Sequence, residues 1–130
     1  MTTQLRPAYP SFDAHGKRAG RIAEVTMTGE FDLEAMGGAT RAVAEALTAP
    51  APAMLLVDLS GVTFMSSSGL SVLLDAQRRA RALGIGLRIF AAAESAARRT
   101  LELTGLDAVL PLYASRSEAT EDIPRPREGL

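Results

Sequence analysis

The stretch Leu55–Leu70 reads LLVDLSGVTFMSSSGL, and the fold turns on it. An apolar run, Met54 to Val57, ends at Asp58. Continuous apolar runs of this length suit a strand covered on both faces, at the centre of a sheet. Gly61 then marks a surface loop, and three serines, Ser66, Ser67 and Ser68, lead through Gly69 into the apolar segment Leu70–Leu74. The spacing predicts a buried strand, a loop and the mouth of a helix over about 68–83. The first amides of a helix lack intrahelical partners and carry partial positive charge, so hydroxyls gathered there cap the helix or stand ready for an anion.

Working outward, Arg21–Gly29 alternates Ile22, Glu24, Thr26 and Thr28 with Ala23, Val25 and Met27. A period of two predicts a strand with one buried face. Gly29-Glu30-Phe31-Asp32 reads as a turn, with Asp32 capping the next helix. In that helix Met36, Thr40, Val43 and Leu47 form one stripe. Gly37 and Gly38 either weaken it locally or permit close packing on the sheet. Pro50 and Pro52 close it.

Beyond the central helix, Gly84 and Gly86 act as stops and Leu87–Phe90 reads as a short strand. Ser95 or Glu94 begins another helix carrying Ala97, Leu101 and Thr104, closed by Gly105. Val109–Tyr113 reads as a short extended return at an edge, because Pro111 cannot donate to a ladder. Ser117–Glu121 makes a last helical turn, and the tail IPRPREGL is polar and Pro-rich, a composition that favours disorder. Residues 1–20 are weakly patterned, with an edge strand expected around Tyr9–Phe12 and His15 in a loop. Alternating strands and helices imply parallel neighbours in an α/β domain. The expected divisions are an N-terminal segment 1–20, one domain over 21–118 and a tail 119–130.

The 130 residues suffice for one core, and 47% hydrophobic against 22% charged is ordinary for a soluble domain. A net charge of −1 offers no global basic field for a phosphate backbone. The chain has no cysteine and one histidine, which removes disulfides, thiol catalysis and a multi-histidine metal site. The N-terminus lacks the apolar centre of a signal peptide, so the cytoplasm is the expected compartment and no membrane partner is expected.

Three catalytic readings fail on their requirements. A nucleophile elbow needs glycines two residues either side of the serine, and Met65 stands before Ser67 where one is required. A phosphate-binding loop needs a lysine at the helix start, and the single lysine is Lys17. Glu30, Asp32 and Asp58 are candidates for one shared sheet edge, but capping and solvation account for them. No cofactor is implied. Capping explains one of the three serines and leaves two. A hydroxyl at a helix mouth is also a favourable phosphorylation site, because the added charge meets the dipole.

The run LLVDLSGVTFMSSSGLSVLL resembles the signature of the bacterial anti-sigma factor antagonists of the STAS domain family, usually close to D-L-S-G-V-x-F-M-D-S-S-G-L. Gly29-Glu30-Phe31-Asp32 resembles the family's G-E-L-D turn, and Leu101–Leu106 its L-x-x-x-G-L segment. The resemblance covers roughly residues 20–118. It implies a single STAS domain, with a four- or five-stranded mixed, mostly parallel sheet and helices packed mainly on one side. It implies a binding switch rather than an enzyme. The unphosphorylated protein would bind an anti-sigma factor that is also an ATP-dependent serine kinase, releasing a sigma factor. Phosphorylation would break that complex and a phosphatase would reset it.

By position, the resemblance makes Ser67 the phosphorylated serine. Glu30, Asp32, Ser66, Ser67, Ser68, Gly69 and Leu70 form the partner-binding set. Ser66 departs from the pattern, standing where the motif has aspartate. That departure motivates an alternative: a non-phosphorylated STAS scaffold or interaction subunit in a signalling or lipid-transport assembly.

Overall fold

The computed structural model describes residues 12–48 and 50–121. It contains five strands, β1 (Asp13–Ala19), β2 (Ile22–Phe31), β3 (Met54–Met65), β4 (Gly86–Phe90) and β5 (Leu112–Tyr113). Four α-helices connect or follow them: α1 (Met36–Ala46), α2 (Ser67–Ala82), α3 (Ala96–Leu103) and α4 (Arg116–Thr120). Single 3-10 turns lie at Leu33–Ala35 and Leu106–Ala108. The strands lie in sequence order across one sheet. β1 pairs antiparallel with β2, and the other pairs are parallel. This is the mixed, mostly parallel sheet expected from the sequence.

The main core lies on one face. Ala23, Val25 and Met27 of β2, Leu55, Val57 and Leu59 of β3 and Ile89 of β4 meet α1, α2 and α3 there. α2 contributes most, burying Gly69, Leu70, Val72, Leu73, Ala76 and Ala80. α1 presents Ala39, Ala42 and Val43, with Leu47 just beyond its end. Met36 and Thr40, expected on that stripe, are only half-buried, because small alanines let the helix approach the sheet along a neighbouring line.

Three expectations need correction. His15 was expected in a loop, yet Asp13–Ala19 is a full edge strand, joined to β2 through a two-residue turn at Gly20 and Arg21. Gly20 has φ 60, as the tight turns of twisted hairpins require. The expected edge strand at Tyr9–Phe12 falls almost wholly outside the described residues, as does the tail beyond Glu121. Phe12 is described, and its ring lies 4.9 Å from that of Phe31.

The second correction concerns the loop expected around Gly61. β3 runs unbroken through it to Met65. Its pairing with β2 carries two irregularities, between Thr26 and Thr28 and between Gly29 and Glu30. Each places one extra β3 residue opposite β2, so a 12-residue strand lies along a 10-residue one. The β3 side chains that join the main core therefore fall at Leu55, Val57, Leu59, Val62 and Met65, spaced by two up to Leu59 and by three after it. Gly61 sits at the first bulge, where a Cβ would stand 2.6 Å from Thr28 Cγ2. Glu30 and Phe31 likewise belong to β2 rather than to a turn.

Among the described residues, the one helix on the opposite face is α4. The register puts Glu24, Leu56 and Arg88 in one row and Thr26, Asp58 and Phe90 in the next. Glu24 is buried, and Arg116 from α4 grips its carboxylate with both guanidinium nitrogens, Nη1 at 2.6 Å from Oε2 and Nη2 on Oε1. Arg116 Nη1 also lies 3.5 Å from Asp58 Oδ2. Arg88 closes the other end of α4, donating to the carbonyls of Ala119 and Glu121, and stacks 5.3 Å from the Tyr113 ring centre. α4 has only five residues, too few to stand alone, so these two arginines hold it.

The hydrogen bonds from Arg116 pull the Glu24 carboxyl below its ordinary value of 4.5, against the opposing effect of burial. A carboxylate held low in the folded state adds stability that is present above the ordinary value and lost as pH falls through the folded one. Glu24→Gln is therefore expected to lower stability near neutrality by about 2 kcal/mol, the range of a hydrogen bond to a charged group, and to flatten the acid limb below pH 4.5. Denaturant titrations of both proteins between neutral and acidic pH measure it. Gly38 offers the opposite test. It is exposed in the first turn of α1, and a Cβ there meets nothing within 4 Å, so it serves no close packing. Gly38→Ala is expected to raise stability by about 0.5–1 kcal/mol, read as a higher denaturation midpoint at unchanged slope.

Candidate functional site

The parallel strands β2, β3 and β4 end at Phe31, Met65 and Phe90, and three capped turns begin along this edge. Asp32 accepts from the Ala35 amide at 3.3 Å, fixing the 3-10 turn after β2. Ser95 accepts from the Arg98 amide at 3.1 Å, opening α3. Between them Ser66 caps α2, its hydroxyl accepting from the Ser68 amide at 3.2 Å. All three caps use short polar side chains in extended backbone, as helix starts require.

The three serines occupy different environments. Ser66 is half-buried, and its hydroxyl also donates to the Phe31 carbonyl at 3.1 Å. Its amide donates to the same carbonyl at 3.0 Å. Ser67 is the first residue of α2 and is exposed. Its carbonyl accepts from Ser71 Oγ at 3.2 Å, while its own hydroxyl has no partner among the described residues. Ser68 is half-buried one step into the helix.

Of the remaining residues expected at this site, Glu30 is half-buried near the end of β2, and Asp32 follows it at the same edge. Gly69 and Leu70 were expected at the partner surface but are buried. Gly69 faces inward: a Cβ on it would lie 3.0 Å from both Met65 Cγ and Phe31 Cγ. Leu70 belongs to the core beneath α2. Asp58, a candidate for the same edge, lies within β3, accepting from the Ser60 amide at 2.8 Å and facing Arg116.

Two exposed apolar residues escaped the sequence reading. Leu33 follows the Asp32 cap and is 71% exposed; Phe64 lies two residues before Ser66 and is 51% exposed. Leu33 stands between two acidic residues, and Phe64 falls in the bulged part of β3, where the apolar positions lose their period of two. Among the described residues no cluster of His, Cys, Asp and Glu is arranged to hold a metal ion, and no helix is long and apolar enough to cross a membrane. A hollow of about 600 Å³ is lined by Gln77, Arg81, Ile85 and Val109, at the end where β4 begins, and so lies away from the serines.

The family model for the STAS domain matches residues 16–119. The chain belongs to the STAS domain family. It is 30% identical over 99 residues to the anti-sigma-F factor antagonist RsfB of Mycobacterium tuberculosis, covering 75% of this chain and 78% of that protein. It is 40% identical over 70 residues to Rv2638 of the same organism, a match covering 54% of this chain and 45% of that protein, less than half its length. The crystal structure of an anti-sigma factor antagonist from Mycobacterium paratuberculosis superposes with a TM-score of 0.74 at 28% identity, covering 87% of this chain and 94% of that one. The STAS signature in this chain thus spans the bulged end of β3 and the first turn of α2.

Gly69 gives this edge its testable constraint. The backbone of α2 rests against Phe31 and Met65, so Gly69→Ala must push the helix mouth outward or displace the Phe31 ring. The expected cost is about 1–3 kcal/mol. Thermal unfolding measures it, and Gly84→Ala at the far end of the helix supplies a contrasting case, strained by φ 73 rather than by contact.

Proposed function

We propose that this STAS domain is an anti-sigma factor antagonist switched off by phosphorylation of Ser67. The observation that carries the reading is the exposed, unpartnered hydroxyl of Ser67 beside a neighbour whose hydroxyl is fully engaged. The names of RsfB and of the paratuberculosis structure support it. The partner is an anti-sigma factor with ATP-dependent serine kinase activity, and a phosphatase restores the active form. The protein itself binds rather than catalyses.

The contact surface is the strand-end edge: Glu30, Asp32, Ser66, Ser67 and Ser68, with Gly69 and Leu70 shaping it from beneath. Leu33 and Phe64 add apolar area to it. A phosphate adds roughly −1.5 to −2 charges at Ser67. Asp32 and Glu34 already lie on the neighbouring turn, so the edge becomes strongly negative. Such a change opposes a complementary partner surface without refolding the domain.

Incubation with the organism's anti-sigma factor kinase and ATP, followed by mass-spectrometric mapping, is expected to place phosphate on Ser67. Ser67→Ala is expected to keep partner binding and lose its sensitivity to ATP, while Ser67→Asp is expected to weaken binding about tenfold or more by calorimetry. A Ser67→Ala protein that still releases its partner on addition of ATP would sink the proposal. Capture of transporter or scaffold subunits without any kinase would instead favour the non-phosphorylated scaffold, the reading that the replacement of the motif aspartate by Ser66 motivates.

A further inference from the structure

The atom that distinguishes this chain at its switch edge is the Ser66 hydroxyl. It accepts from the Ser68 amide and donates to the Phe31 carbonyl at the same time. The Ser66 amide reaches that carbonyl as well. One residue thus joins the end of β2 to the first turn of α2 through both its main chain and its side chain. A carboxylate in the same place keeps the first hydroxyl bond and forfeits the second, because it has no proton to donate. Its oxygen would then face the carbonyl oxygen of Phe31, acceptor against acceptor. The signature that this chain resembles has aspartate here, so the neutral residue is paired with a carbonyl that aspartate cannot serve.

We propose that Ser66 is the positioning residue of the switch: its hydroxyl fastens the α2 mouth to β2 so that the exposed Ser67 projects from it, and its neutrality spares a phosphate on Ser67 a carboxylate on the preceding residue, beyond those of Asp32 and Glu34 on the neighbouring turn. The proposal rests on Ser67 as the phosphorylated residue, but its test needs no kinase. Phosphoserine is placed at position 67 of the full chain during translation, in the Ser66 background and in Ser66→Thr, Ser66→Ala and Ser66→Asp. Two quantities are read, hydrogen exchange at the Ser68 amide in the unphosphorylated chains and the pH titration of the phosphate by its ³¹P shift.

Ser66→Ala is expected to speed exchange at Ser68 about fivefold, the equivalent of losing one cap, and Ser66→Thr, which keeps both bonds, to restore protection. Ser66→Asp is expected to raise the midpoint of the phosphate titration by about half a pH unit, the effect of one like charge a residue away near solvent. Ser66→Ala and Ser66→Thr, both neutral, are expected to titrate with the unsubstituted chain. Protection at Ser68 unchanged by Ser66→Ala overturns the proposal, and so does a Ser66→Asp midpoint that coincides with the wild type. Failure of the acceptor assignment shows itself elsewhere, as kinase-treated protein carrying no phosphate on Ser67.

Discussion

The two extra residues in β3 are the constraint on which the rest of the molecule depends. β3 is the central strand, bonded to β2 on one side and β4 on the other. Its register against β2 moves by two residues between the pair Ile22–Met54 and the pair Phe31–Met65. That slip keeps Val62 and Met65 pointing into the core although their spacing departs from two. It also makes β2 and β3 end level. Only then does Ser66 emerge beside the last carbonyl of β2, where its amide and hydroxyl both find Phe31. The bulged strand thus brings the serine cluster to the end of β2, and Gly61 admits the first bulge by leaving Thr28 room.

β2 and α2 were legible because each advertised its burial. β2 alternates polar with apolar, α2 carries a broad apolar face, and Ser95 caps α3 as the sequence reads, whereas Asp32 caps the 3-10 turn Leu33–Ala35 ahead of α1 and not α1 itself. β1 was illegible for the converse reason. Six of its seven residues are exposed, so no hydrophobic alternation exists to be seen. The second half of β3 hid differently: its buried residues, spaced by three after Leu59, fit neither a strand nor a helix template. At the site, local chemistry made one of the three serines a cap, and the resemblance to the signature ranked them; the structure makes Ser66 the cap. The burial of Gly69 and Leu70 did not, because a motif shared with a surface does not say which of its residues face outward.

Glu24 shows a deeper limit. Within β2 it occupies the polar phase, which reads as solvent-facing. It is nevertheless buried, because Arg116, 92 residues later, brings α4 across the open face. Nothing local to either residue announces the pairing. The cost of burying the carboxylate is offset by a bidentate guanidinium that stays partly in water, and Asp58 lends further charge from the next row. The sheet therefore has an apolar face built by three helices and an ionic face built by one.

The division bears on how a modification at Ser67 would act. α2 has 16 residues, and Arg79 and Arg81 lie in its last turn, so they stand about 20 Å from Ser67 along the helix. The arginines of the ionic face are committed to Glu24, Tyr113 and the carbonyls that end α4. A phosphate at the mouth of α2 would therefore meet the helix dipole and the acidic neighbours Asp32 and Glu34 rather than these guanidiniums. Favourable interaction with the dipole keeps the helix start intact, and the charge stays on the surface instead of being absorbed by an internal ion pair. An edge that gains negative charge while its helix start stays capped would suit a surface that a partner accepts before the modification and rejects after it.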